Sequence, residues 1–104
     1  MPTTEYEEDL DERGSEWIRL RFQTSGGRVT AFTDQYETIL EGRRVPVTRY
    51  DSAHGRSHQD VLDRQGFLIQ KRWLDGHTLD EALTEGVRDL RANWRRYRTR
   101  FLGE

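Results

Sequence analysis

The chain has no cysteine, two prolines, a single lysine and no long apolar run. Without cysteine there can be no disulfide and no thiolate metal site. No stretch reaches the roughly 18 apolar residues of a membrane-spanning helix. The N-terminus lacks the basic-then-apolar order of a signal peptide. A soluble, cytoplasmic protein is expected. There is no glycine-rich phosphate loop ahead of a helix, no GxSxG and no EF-hand pattern, which argues against an ATP-driven enzyme and a serine hydrolase. Scarce lysine means that arginine supplies 16 of the 17 basic side chains. Arginine grips phosphate and carboxylate with two parallel hydrogen bonds, which lysine cannot do. The same bias also follows from a GC-rich genome or adaptation to heat or salt.

What is present fits one domain of 104 residues, a length that can bury a modest core. The near-neutral total hides an asymmetry. Acids at 5, 7, 8, 9, 11, 12 and 16 against Arg13 alone give residues 1–16 a charge of −6, and the remainder carries +4. Residues 1–14 read as an acidic, disordered tail, because such a segment buries too little apolar surface to offset its ordering entropy. A sharper alternative is that the tail masks a basic surface until a polyanion or partner displaces it. Residues 15–104 form the single folded domain.

Within that domain EWIRLRFQ (16–23) alternates, with Ile18, Leu20 and Phe22 on one face, as a half-buried strand does. TSGG (24–27) marks a turn. RVTAFTDQYETIL (28–40) is β-rich and long for one strand, so a bend or bulge is expected. Glu41-Gly42 suits a tight hairpin. RRVPVTRYD (43–51) is a further strand in which Pro46 implies an edge position or a bulge. His58–Leu62 and Gly66–Leu74 complete the pattern. Thr78-Leu79-Asp80-Glu81 fits a capping box. Leu79, Leu83, Val87, Leu90, Trp94, Tyr97 and Phe101 then recur every three or four residues, which makes one helical face. Acids sit early in this segment and arginines late, as the helix dipole favours. The fold expected is α+β: an antiparallel meander of about four or five strands with a C-terminal amphipathic helix packed on one face.

The stretch RYDSAHGRSHQD (49–60) holds two of the three histidines. Strand alternation would put Val45, Val47, Arg49 and Asp51 on one face, with the two valines toward the core. His58 and Asp60 share a face of the next strand, so Arg49, Asp51, His58 and Asp60 should cluster, with His54 closing over them from the loop. Three readings are open. In a structural one, Asp51 caps the loop and the other polar groups satisfy one another. In a catalytic one, His54 and His58 act as base and acid on an RNA phosphodiester without a metal. Arg49 or Arg56 would stabilise the developing charge, and Asp51 or Asp60 would orient a ring. In the third, His54, His58 and an aspartate hold Zn²⁺ or Mn²⁺, although HxxxH carries weight mainly on a helix, and loop and strand are expected at these residues. His77 reads as a turn residue.

The segment from Gln35 to Leu74 resembles a family of small, uncharacterised prokaryotic proteins, largely archaeal, that share a YET…G…PV.RYD.AHG..H.D core. Its Arg49, Tyr50, Asp51, Ala53, His54, Gly55, His58 and Asp60 are also similar to the RYD.AH…H element of TumE-type toxins of toxin–antitoxin pairs. Asp60 stands where that pattern carries a further histidine. The resemblance implies a functional role for His54 and His58.

The leading expectation is a toxin-like protein acting on RNA by metal-independent acid/base phosphoryl transfer, using His54, His58, Arg49, Asp51 and Asp60. No cofactor or metal is expected. The alternative is a non-catalytic binding module for nucleic acid or a protein, with 49–60 structural. Arg56, Arg91, Arg95 and Arg98 would form its basic edge. The partners in question are RNA, an antitoxin-like protein and a second copy of the chain, with no membrane.

Overall fold

The computed structural model describes residues 2–104. The fold is α+β: six antiparallel strands in the order β1-β2-β3-β4-β5-β6 and one helix. The strands are β1 (Thr3–Asp9), β2 (Glu16–Ser25), β3 (Arg28–Leu40), β4 (Arg43–Asp51), β5 (His58–Leu62) and β6 (Leu68–Trp73). The helix α1 (Leu79–Leu102) crosses β3 and β4 on one face of the sheet.

Strand β1 lies in the segment, residues 1–14, expected to be a disordered tail. Residues 3–9 pair in full register with β2, from Thr3 opposite Gln23 to Asp9 opposite Trp17. Composition counted apolar burial and found too little. It took no account of the free backbone edge of β2, or of arginines that could take up the acids. Glu7 lies 3.3 Å from Arg19 and 3.0 Å from Arg44, and Glu8 lies 2.6 Å from Arg91. Main-chain hydrogen bonds and ion pairs hold this edge strand, and its one large apolar side chain, Tyr6, is exposed.

The hairpin turns follow their sequences. Gly26-Gly27 and Glu41-Gly42 each join two strands directly with both residues at positive φ, a backbone that matches the twist of the flanking strands. The irregularity expected in the long β3 occurs at Thr30, which has no partner between Ala31 opposite Gln23 and Val29 opposite Thr24. A second one sits in β4. Tyr36 pairs with Thr48 and Glu37 with Pro46, so Val47 is an extra residue. Pro46 precedes the β4–β5 ladder, which begins at Thr48, so its missing N–H breaks no bond to β5.

That bulge corrects the expected facing of β4. Two residues oppose one across it, so the alternation changes phase. Val47 remains in the core, but Thr48 and Tyr50 now face α1, and Arg49 and Asp51 turn to the open side. The core comprises Ile18, Phe32, Tyr36, Val47 and Tyr50 of the sheet, with Ala82, Leu90, Trp94, Tyr97 and Phe101 of α1. Tyr36 meets Trp94 edge-on at 6.3 Å.

Helix α1 starts at the expected capping box. Glu81 N–H donates to Thr78 Oγ1 at 3.1 Å, and Thr78 N–H donates to Glu81 Oε1 at 2.8 Å. It ends at Gly103 in the left-handed conformation. The inner face differs from expectation in its first half. Ala82 and Gly86 are buried there, with Leu79, Leu83 and Val87 only partly covered. Small residues are needed because the helix lies so close to the sheet. A Cβ on Gly86 would sit 2.4 Å from Asp34 Oδ2 and 2.8 Å from the Tyr50 ring.

Candidate functional site

The 49–60 cluster forms in part. Arg49 lies opposite Asp60 and Asp51 opposite His58, so the four share a face as expected. That face is the open one, away from α1. Arg49 Nε donates to Gln35 Oε1 at 2.9 Å, and Gln35 in turn donates to Glu37. Arg49 thus joins a polar chain on β3. Asp51 accepts the Ala53 N–H and caps the turn Ala53–Gly55, as the structural reading anticipated. Buried Ser52 ties that turn to β3, its Oγ accepting the Phe32 N–H at 2.9 Å.

The two histidines are placed apart in environment. His58 is buried. Its Nδ1 donates to the Arg56 carbonyl at 3.0 Å, its Nε2 lies 3.5 Å from Asp60, and its ring meets Trp73 at 5.4 Å. Asp60 also faces Lys71 at 3.2 Å. His54 is exposed on a 3₁₀ turn at φ 61°, a left-handed conformation uncommon for a residue with a side chain. It lines a cavity of about 410 Å³ with Arg21, Thr33 and Asp51, and His58 is not part of that wall. Among the described residues no three His, Asp or Glu side chains converge as metal ligands. His77 is exposed, between the turn Asp75-Gly76 and α1.

The expected basic edge is largely neutralised. Arg91 forms a two-pronged pair with Glu8 at 2.6 and 2.7 Å, which lowers the Glu8 pKa even against partial desolvation. Arg98 lies 3.5 Å from buried Glu16, and Arg56 pairs with Asp75 at 2.9 Å while stacking on Trp73 at 3.8 Å. Arg95 stacks on Trp94 at 4.4 Å, in a hollow shared with Asp9, Asp11 and Glu12. Most of the acids around these arginines, Glu8, Asp9, Asp11 and Glu12, come from residues 1–14, the region first read as tail.

A different cleft, about 510 Å³, opens between β5, β6 and the second half of α1. Arg72, Arg96 and Arg100 line it together with Gln59, Gln70, Tyr97 and one carboxylate, Asp89. Its floor is a bonded network. Tyr50 Oη donates to Asp89 Oδ2 at 2.7 Å, Tyr97 Oη donates to the same oxygen, and Asn93 Nδ2 donates to Oδ1 at 2.7 Å. Arg72 Nη2 donates to Tyr50 Oη at 2.9 Å and to Gln59 Oε1 at 3.1 Å. Burial, and then the bonded Asp89 carboxylate, push both phenols above the ordinary tyrosine range, so they act as donors and not as bases. Asp89 accepts three bonds from neutral donors. Among the described residues, Arg72, Arg96 and Arg100 form no ion pair with a carboxylate within 4.0 Å. Sequence reasoning missed this cleft, although Asp89, Asn93, Arg96 and Arg100 follow helical spacing one position before the apolar stripe.

Neither a curated protein nor a solved structure matches the chain. One family model matches residues 1–104, from end to end, and the chain therefore belongs to the DUF7718 family, a domain of unknown function.

Proposed function

We propose that the protein is a non-catalytic binding module for a nucleic-acid phosphate backbone, with RNA as the ligand class and the β5–β6–α1 cleft as its site. One observation carries this reading: three guanidinium groups line one cleft without a carboxylate ion pair. All three arginines are exposed and the one carboxylate in the lining, Asp89, is bonded to Tyr50, Tyr97 and Asn93 instead, so the guanidinium groups are free to grip a phosphate with two-pronged hydrogen bonds. Gln59 and Gln70 add neutral polar groups beside them. The acid/base alternative has less support in the geometry. It needs two rings at one phosphate, whereas His58 is buried against Arg56 and Asp60 and His54 faces another cavity.

The test is fluorescence anisotropy with a labelled 20-nucleotide single-stranded RNA, run between 50 and 200 mM salt. The plot of log affinity against log salt should be linear, and Arg96→Ala/Arg100→Ala should make its slope shallower by about 1.4, at roughly 0.7 per single-strand phosphate contact. Binding that ignores both salt and the double variant would sink the proposal. The same RNA is then run on a gel. Intact RNA supports a binding module, whereas cleavage that His54→Ala abolishes would replace it with phosphoryl transfer.

A further inference from the structure

The sheet has two free edges, β1 and β6. At β6 every residue is exposed. Phe67 (69%), Leu68 (50%), Ile69 (53%) and Trp73 (44%) account for four of the six exposed large apolar side chains among the described residues. Single exposed apolar residues are ordinary, but a contiguous set on one strand marks an interaction surface. The outer backbone groups of an edge strand are also a template for another strand. Some protection is present, since β6 contains Lys71 and a register shift opposite Val61–Leu62. Neither covers the apolar set.

The charge on this edge selects the partner. Leu68–Trp73 contains Lys71 and Arg72 and no acid, and Arg64 lies in the preceding turn. The nearby acids are engaged: Asp60 with Lys71, Asp75 with Arg56, and Asp63 with the Gln65 and Phe67 amides. We infer that β6 is a strand-addition site for an extended segment of a protein partner that alternates acidic and apolar residues. The added strand takes up the free backbone groups. Alternation puts Ile69, Lys71 and Trp73 on one face and Leu68, Gln70 and Arg72 on the other, so the added strand's apolar side chains cover Ile69 and Trp73 while its carboxylates meet Arg72 across the strand, Lys71 already having Asp60. A second copy is the poorer occupant. Pairing β6 with itself puts four cations and no acid on one seam. Pairing β6 with the acidic β1 of another copy leaves a free edge at each end, an open and growing chain, and Glu7 and Glu8 of β1 are already paired.

Two dye-labelled octapeptides test this, one alternating Glu and Val, the other alternating Lys and Val. The acidic peptide should bind the full-length protein about threefold or more tightly than the basic one, because the exposed charge contact at Arg72 changes from attraction to repulsion. Hydrogen exchange should slow at the amides of residues 68–73. Leu68→Glu/Ile69→Glu changes exposed positions only, so it should keep the far-ultraviolet circular dichroism and lose binding. Arg96→Ala/Arg100→Ala should change peptide binding by no more than about twofold, since the edge residues stay intact. Equal binding of both peptides, protection confined to another strand, or retention of binding in the Leu68→Glu/Ile69→Glu variant would overturn the inference. Self-association that this variant abolishes would give the edge to a second copy and overturn it also.

Discussion

The two ends of the sheet handle charge in opposite ways. At the β1 end, Arg19, Arg44, Arg91 and Arg98 each lie within 4.0 Å of a carboxylate, supplied by Glu7, Glu8, Glu16 or Glu37. At the β6 end, Arg72 and Arg100 meet hydroxyl and amide groups instead, Arg96 lies over the Tyr97 ring, and apolar side chains stand exposed. The first arrangement is complete within the chain. The second leaves charge and apolar surface unanswered, as binding surfaces do. Arginine content alone therefore locates nothing in this protein. Among the described residues Arg21, Arg43, Arg49 and Arg95 also form no ion pair, so the deciding feature is that Arg72, Arg96 and Arg100 come together in one cleft.

Between the two ends lies a group that neither strategy serves. Asp34 on β3 is fully buried under α1, beside Gly86 and Tyr50 and opposite Leu20, and neither of its oxygens has a hydrogen-bond partner among the described residues. Burial pushes its pKa up to about 8, so the carboxyl is neutral at pH 7. The folded pKa lies above the unfolded one. This contribution to stability is therefore complete below about pH 4 and is lost progressively as pH rises through about 8, with a limiting slope of about 1.4 kcal/mol per pH unit. Urea unfolding of wild type and Asp34→Asn at pH 5, 7 and 9 should show wild type losing stability across this range and the variant losing less. Parallel profiles would mean that an unseen partner keeps the carboxyl ionised, and charge at the centre would then be compensated as it is at the β1 end. A smaller effect is expected at the neighbouring glycine. Gly86→Ala would normally favour a helix, but the 2.4 Å approach to Asp34 should reverse that and cost about 1–3 kcal/mol. A rise in melting temperature would show that the helix can lift off Asp34 cheaply.

Much of the architecture was legible in local sequence. The alternation of Ile18, Leu20 and Phe22, the turns at 26–27 and 41–42, and the capping box at Thr78 each rest on neighbouring residues, and each appears in the structure. The departures came from distant partners. Residues 3–9 became a strand because β2 offered an edge and arginines at 19, 44 and 91 offered counter-charges. Pro46 signalled a bulge, but the phase change that sends Tyr50 inward and Arg49 outward depends on where β3 pairs. The juxtaposition of Arg49, Asp51, His58 and Asp60 followed from period-two spacing. The burial of His58 did not, because it depends on Trp73 arriving from β6. The arginine cleft joins β6 to residues of α1 some 25 positions later, a distance over which no local spacing rule operates.

The smallest expected effect bears most directly on the contrast between the ends. If Arg91 is silent only because Glu8 occupies it, removing the acid should make the β1 end behave like the β6 end. Glu8→Gln keeps the side chain's size and removes its charge. The lost pair is largely exposed and should cost only about 0.5–1 kcal/mol in stability. Glu8 is held ionised by Arg91, so this contribution should be present at pH 7 and fade as pH falls through its lowered pKa, which makes acid unfolding of the variant less cooperative in protons than that of wild type. In the RNA titration the freed guanidinium should add about one phosphate contact, steepening the salt slope by about 0.7 and raising affinity roughly two- to threefold at low salt. Those two changes together would identify β1 as a built-in acidic cover for Arg91. A loss of stability with an unchanged salt slope would show that the cleft alone meets the polyanion and that β1 serves only to close the sheet.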